Sequence, residues 1–257
     1  MIRDWSNFIA GRRALVTGGG GGVGRAIAIQ MARAGAHIWV NDLHLDRAER
    51  VCEEIRAEQA TADPVVADVC DPAQVARMLE ETGPVDILVN NAGIPVDGFP
   101  VKSFVESKPE DWDPLIRLNL AAVLHVTHAY LPGMLEQQWG RVLTIVSDAG
   151  RKGERKQVVY GAAKAAAMGF SRGLAAEVGR DGITVNCIAL GTMNHGLLKQ
   201  AIDEDPSLEA KLSRPYLVGR LGEVDDAAPL AVLLCSDAAS WITGQVYPVD
   251  GGYSPAL

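Results

Sequence analysis

Short apolar runs alternate along this chain with longer stretches in which apolar positions recur every three or four residues. The runs at 13–17, 36–41, 64–67, 85–89, 141–146, 183–188 and 245–249 read as strands, bounded by glycine, proline or aspartate. The intervening stretches predict helices over 24–35, 46–59, a segment opened by Asp71 and Pro72, 111–129, a further one from about 131, one carrying Tyr160 to about 180, and 225–235. Gly35 is a helix stop, Asp46 a candidate N-cap, and Pro72 suits a first helical position. Strand and helix in strict alternation predict an α/β fold: a doubly wound, mainly seven-stranded parallel sheet with helices on both faces. Ligands of such sheets bind at the carboxyl ends of the strands, where Gly18, Asn90 and Ser147 fall.

Composition narrows this picture. With 257 residues, 48% of them hydrophobic, and no charged or Pro/Ser-rich linker, one domain over 1–257 is expected. A formal charge of −8 disfavours nucleic acid or an anionic membrane as main partner. No long uncharged apolar stretch and no apolar leader is present, so neither a membrane span nor a secretory signal is expected. Cys52, Cys70, Cys187 and Cys235 lack metal-ligand spacing with one another or with the histidines, which predicts reduced thiols, a cytoplasmic protein and no metal.

The sharpest chemical signal is Tyr160 and Lys164, one helical turn apart, with Ser147 upstream. That spacing puts a phenol and an ammonium on one helix face, and an ammonium beside a phenol favours the phenolate. The expectation is a phenol tuned from about 10 toward neutrality, usable as general acid or base. A second signal is the glycine run from Gly18 to Gly24, between the first strand and first helix. Glycines there let backbone N–H groups approach a pyrophosphate at a helix N-terminus, as in a Rossmann-type dinucleotide site. Asp42, at the end of the second strand, suits an adenosine ribose and would repel a 2′-phosphate. Positions 21 and 43 are Gly and Leu, so neither offers that phosphate a cation. NAD(H) is expected, with NADP less favoured.

Together these features resemble the classical short-chain dehydrogenase/reductase family, through Thr17-Gly18, Gly22, Gly24, Asn90-Asn91-Ala92-Gly93, Asn119, Ser147, Tyr160, Lys164 and the closing segment 242–252. The resemblance implies a hydride transfer between NAD(H) and a secondary alcohol or ketone. Tyr160 would transfer the proton, Lys164 would lower its pKa and bind the nicotinamide ribose, Ser147 would hold the substrate oxygen, and Asn119 would support a water relay. It also assigns Gly18, Gly22, Val23, Gly24, Asn90, Ala92, Gly93, Gly191 and Met193 to the cofactor, and Asp68 and Val69 to its adenine. A homotetramer is implied, through about 111–137, 158–180 and 225–257, with an Ala-rich face at Ala162, Ala163, Ala165, Ala166 and Ala167 permitting close helix approach.

Some positions depart from the family pattern. Leu190 replaces a usual proline, and His195 stands where a threonine usually holds the cofactor. Segment 192–218 matches the variable substrate loop and reads as an apolar lid. Arg151, Lys152, Arg155 and Lys156 form a basic run just before Tyr160, pointing to an anionic or CoA-linked substrate. Two alternatives stand beside the alcohol dehydrogenase. One is an NADPH-dependent 3-oxoacyl-acyl-carrier-protein reductase, against which Asp42 counts, as do Gln138 and Asp181 at positions where such enzymes carry docking arginines. The other is a dinucleotide sensor without catalysis.

Overall fold

The computed structural model describes residues 7–95, 98 and 101–254. The expectations resting on the extreme N-terminus, and the last residues of the proposed oligomer segment, lie outside them. Seven strands form one parallel sheet in the order β3-β2-β1-β4-β5-β6-β7: β1 Arg13–Val16, β2 His37–Asp42, β3 Ala62–Val66, β4 Ile87–Asn90, β5 Gly140–Ser147, β6 Ile183–Leu190 and β7 Val246–Val249. The order reverses between β1 and β4, which is the switch point where the two connecting loops diverge and leave a crevice.

Alternation within each strand explains the two layers. Ala14 and Val16 face one core, Leu15 the other; Ile87 and Val89 oppose Leu88 in the same way. The first core is covered by α1 Gly22–Arg33, α2 Leu45–Ala57 and α10 Ala228–Leu234. The second is covered by α3 Pro72–Thr82, α5 Ala122–Gln137 and α7 Val158–Val178. Asp71 opens α3 as the sequence predicts, accepting hydrogen bonds from Ala73 and Gln74.

Several expected boundaries differ. The helix expected over 111–129 is divided into α4 Pro109–Ile116 and a single π-turn at Arg117–Ala121 that runs into α5. No break occurs near 131, because Pro132 lies within α5. Asp46 is in the first turn of α2, and His44 is the N-cap residue. The basic run begins as a short helix, α6 Asp148–Arg151. The substrate-loop segment folds into α8 Gly196–Glu204 and α9 Ser207–Ser213.

Candidate active site

The end of β5 and the start of α7 bring the hydroxyls together. Ser147 caps α6, its Oγ accepting from the Ala149 N–H at 3.2 Å. Gly161 of α7 rests against that turn: a Cβ placed on it would fall 2.6 Å from the Ala149 carbonyl oxygen. This close approach seats Tyr160 beside Ser147, and the two side chains are hydrogen-bonded.

Lys164 lies below them, 4% exposed, its Nζ donating to the Ile145 carbonyl at 2.8 Å and standing 5.8 Å from the Tyr160 ring centroid. The expected tuning toward neutrality is not found among the groups of this site. Burial pushes the Tyr160 phenol up to about 12, against the opposing hydrogen bond from Ser147. Burial also brings the Lys164 ammonium down to about 8. Desolvation is the larger effect on both groups, and the buried ammonium donates to a strand carbonyl. The phenol therefore keeps its proton at neutral pH and is an acid.

Asn119 projects from the π-turn, fully buried, its Nδ2 donating to Leu115 O at 3.0 Å and its Oδ1 without a hydrogen-bond partner among the described residues. Single π-turns frequently mark functional positions in helices. A Cβ on Gly93 would lie 2.6 Å from Lys164 Nζ and 2.9 Å from Asn119 Oδ1, so these three residues share one small space.

The glycine loop forms the other wall. Gly18 and Gly22 have φ of 60° and 53°, which side-chain-bearing residues rarely adopt. A Cβ on Gly24 would fall 2.4 Å from both Gly18 O and Asn91 Nδ2. Asn91 Nδ2 donates to Thr17 O at 2.9 Å and Gly18 O at 3.1 Å, while Thr17 Oγ1 accepts from Asn91 N at 3.0 Å and Ala92 N at 3.2 Å. Asn91 and Thr17 thus clasp the loop after β1 to the loop after β4. Both were noted only as motif letters in the sequence. Asn90 is buried and donates to Thr127 Oγ1 at 3.0 Å.

Asp42 is buried at the end of β2, and a Cβ on Gly20 would lie 2.5 Å from its Oδ2. Arg47 stands beside it, Nε 3.9 Å from Asp42 Oδ1, with Nη2 3.3 Å from a Cβ position on Gly21. Positions 21 and 43 offer no cation, but Arg47 reaches back from the first turn of α2, a spacing that the strand-end motif does not reveal. Asp68 Oδ1 accepts from Cys70 N at 2.8 Å, and Val69 is buried.

On the opposite side, Gly191 packs against Tyr216, and Met193 is buried with its side chain turned toward Gly222. His195 lies over the glycine loop, Cε1 3.2 Å from a Cβ position on Gly22, and burial lowers its pKa. The basic run is partly committed elsewhere. Arg151 pairs with Asp148 at 2.9 Å, and Lys152 Nζ sits 3.1 Å from the Tyr253 ring centroid, so neither cation is available as an open anion site. Arg141 is also buried, bonded to the carbonyls of Gly140, Gly182 and Ser236, and so presents no docking cation.

The cradle of glycines around a helix N-terminus, the carboxylate at the end of β2 and the unpartnered Asn119 Oδ1 fit a dinucleotide at the switch point. Among the described residues, no group of three or more His, Cys, Asp or Glu is arranged to hold a metal, and no helix is long and apolar enough to cross a membrane.

Known proteins agree with this geometry. The profile of the family described as enoyl-(acyl carrier protein) reductase matches residues 3–254. A 3-oxoacyl-(acyl-carrier-protein) reductase of Pseudomonas aeruginosa is 36% identical over 248 residues, covering 95% of this chain and 98% of the relative. A crystal structure of a 3-oxoacyl-(acyl-carrier protein) reductase from Brucella melitensis with bound NAD superposes with a TM-score of 0.88 at 31% identity, over 98% of this chain and 94% of that one. A gluconate 5-dehydrogenase from Burkholderia cenocepacia in complex with NADP and tartrate gives a TM-score of 0.89 at 34% identity, over 98% of this chain and 99% of that one.

The space shared by Gly93, Lys164 and Asn119 yields one expected outcome. Gly93→Ala should displace the Lys164 ammonium and weaken dinucleotide binding by about tenfold or more, since a tenfold loss needs only about 1.4 kcal/mol. Titration of the purified variant with NAD(H) by fluorescence or calorimetry checks this, and unchanged affinity in a folded variant counts against it.

Proposed function

The chain belongs to the classical short-chain dehydrogenase/reductase family, and from that premise we propose that it reduces the 3-keto group of an acyl thioester with a reduced nicotinamide dinucleotide. The observation that carries this reading is the groove opening on Tyr160, lined by Phe104, Trp112, Leu115, Val158 and Val159 together with the polar Lys102, Ser107, Asp111, Lys156 and Gln157. Its apolar residues, with Phe104 and Trp112 stacked at 5.4 Å between centroids, offer a surface for an acyl chain, and its polar ones offer partners for a thioester. This revises the broader alcohol dehydrogenase reading of the sequence in favour of its reductase alternative.

The bound dinucleotide supplies or accepts the hydride at the carbon that bears the oxygen. Ser147 Oγ holds the keto oxygen, and Tyr160 gives that oxygen its phenolic proton as the carbon is reduced. A phenol that burial keeps protonated serves this direction. Lys164 sets a positive charge beneath the site and would bind the nicotinamide ribose, while Asn119 Oδ1 would accept from a water returning the proton to Tyr160 through Lys164. Gly18, Gly22, Val23, Gly24, Asn90, Ala92, Gly93, Gly191 and Met193 would hold the dinucleotide, Asp42 would take its adenosine ribose, and Asp68 and Val69 would border its adenine.

NADH is the preferred donor in this reading, because a buried carboxylate repels a 2′-phosphate. Arg47 tempers the preference, and solved neighbours hold NAD in one case and NADP in another. The exposed face of α7, at Ala162, Ala165, Ala166, Gly169 and Gly173, and the 98% exposed Trp241 support a homotetramer; Ala163 and Ala167 of the expected face turn inward instead.

Three measurements test these readings. Following NADH absorbance with acetoacetyl-CoA and longer 3-oxoacyl thioesters should show turnover that Tyr160→Phe lowers by about 10²–10⁴-fold; no turnover of any 3-oxoacyl thioester overturns the assignment. The ratio of kcat/KM for NADH to that for NADPH should fall by about tenfold or more in Asp42→Ala and rise in Arg47→Ala, each tenfold step being about 1.4 kcal/mol. Light scattering at micromolar concentration should give four chains, and a monomer refutes the assembly.

A further inference from the structure

The basic segment and the last described residues meet in a buried cluster that the proposed reaction does not use. Asp148 directly follows Ser147, and its side chain is 3% exposed. Its Oδ1 accepts from Arg151 Nη1 at 2.9 Å and from Ser254 Oγ at 3.1 Å. Its Oδ2 is buried, and among the described residues no N–H or O–H is directed at it. Asp250 lies against it: Oδ1 accepts from Gly252 N at 2.9 Å and Oδ2 from Ser254 N at 2.8 Å, and Oδ2 is 3.0 Å from Ser254 Oγ, whose one hydrogen is shared between the two carboxyls. Arg151 Nη1 is 3.9 Å from Asp250 Oδ2 and is the guanidinium facing both carboxyls. The remaining charged and titratable neighbours are engaged with one another. Tyr253 donates to Glu154 Oε2 at 2.7 Å, Lys152 lies over the Tyr253 ring, and Tyr216 stacks on it at 4.9 Å.

One cation between two buried carboxyls leaves the cluster short of a positive charge. Two adjacent carboxylates out of water cannot both ionise cheaply. A proton on Asp148 Oδ2 resolves both problems, since the orphaned oxygen then donates to Asp250. Burial first, then the Asp250 carboxyl, push Asp148 up to about 6. Burial raises Asp250 in turn, but its hydrogen bonds from Asp148, Ser254 and Gly252 carry it below the usual carboxylate range.

We propose that Asp148 is a proton-bearing positioning residue whose carboxyl hydrogen fastens the 250–254 turn to the segment carrying Ser147, so that the C-terminal turn loosens as this proton is lost. The sign follows from the two states. With the turn released, Asp148 returns to its ordinary value of 3.8, against about 6 when closed. The closed state therefore holds the extra proton between these values. Closure is strongest below the lower one, weakens as pH rises toward the higher, and levels off above it. The same protonation contributes folding stability that is lost over the same interval. This latch rests on no assignment of substrate or cofactor, so it stands or falls apart from the proposed reaction.

Amide hydrogen exchange of the C-terminal peptide, corrected for intrinsic rates, tests it on the intact protein. Protection at Gly252 and Ser254 should fall by about tenfold between pH 5 and pH 7, the factor given by the two Asp148 values. In Asp148→Asn, whose amide donates without titrating, protection should not change between these pH values. Wild-type protection that is equal at pH 5 and pH 7 overturns the proposal, as does an equal fall in the variant. Should the variant not fold, the wild-type comparison alone decides.

Discussion

The site depends on a lysine ammonium kept almost wholly from water. Moving such a charge out of water costs several kcal/mol even after relaxation, and the Ile145 carbonyl is its hydrogen-bond partner among the described residues. Burial answers by lowering the Lys164 pKa to about 8, so the cation is retained at neutral pH with little to spare. A cation in that condition is receptive to a ligand that brings oxygen atoms and partial negative charge. The neighbouring Asn119 Oδ1 is likewise short of a partner. Two polar groups left incompletely satisfied side by side are a cost to the fold that a bound dinucleotide and water would repay.

Backbone contact between α6 and α7 makes this arrangement possible. A Cβ on Gly150 would fall 2.7 Å from Ala165 N, and one on Gly161 would fall 2.6 Å from Ala149 O. Glycine on both sides brings the helix down onto the end of β5, and the hydroxyls of Ser147 and Tyr160 meet as a consequence. The Thr17–Asn91 clasp does the corresponding work at the switch point, where it fixes the glycine loop against the loop after β4. Neither contact bears reacting atoms, yet each decides where a reacting atom can lie.

How much of this was legible in the sequence follows from range. The seven strands and their parallel order rest on local apolar runs and on strand–helix alternation, and those signals survive in one dimension. Asp71 and Pro72 as a helix start, Gly18 and Gly22 as turn residues, and the Tyr160–Lys164 face are local too. The features that sequence does not carry depend on distant pairs. Arg47 reaches Asp42 from the next helix, and the π-turn at Asn119 interrupts a helix whose apolar periodicity reads as continuous. The phenol's raised pKa was misjudged for the same reason: spacing reported the ammonium nearby, whereas burial and the ammonium's turn toward Ile145 are properties of the packed fold.

Half of the basic run shows how apparent ligand-binding cations can be engaged by the chain itself, while Lys156 lines the groove beside Tyr160. In a protein with a formal charge of −8, a cluster of cations invites an anionic ligand from outside. Here the acidic and aromatic groups of the C-terminal turn have taken that place. Asp250 and Ser254 meet Arg151, and Tyr253 lies between Lys152 and Glu154. The turn that follows β7 is thereby tied to the residue after Ser147, although more than a hundred positions separate Ser254 from Asp148 in the chain. Such a tie can hold the Ser147 hydroxyl against the movement of the loops around it. It also concentrates two carboxyls beside that hydroxyl, and a shared proton, with Arg151 and Ser254, offsets their repulsion.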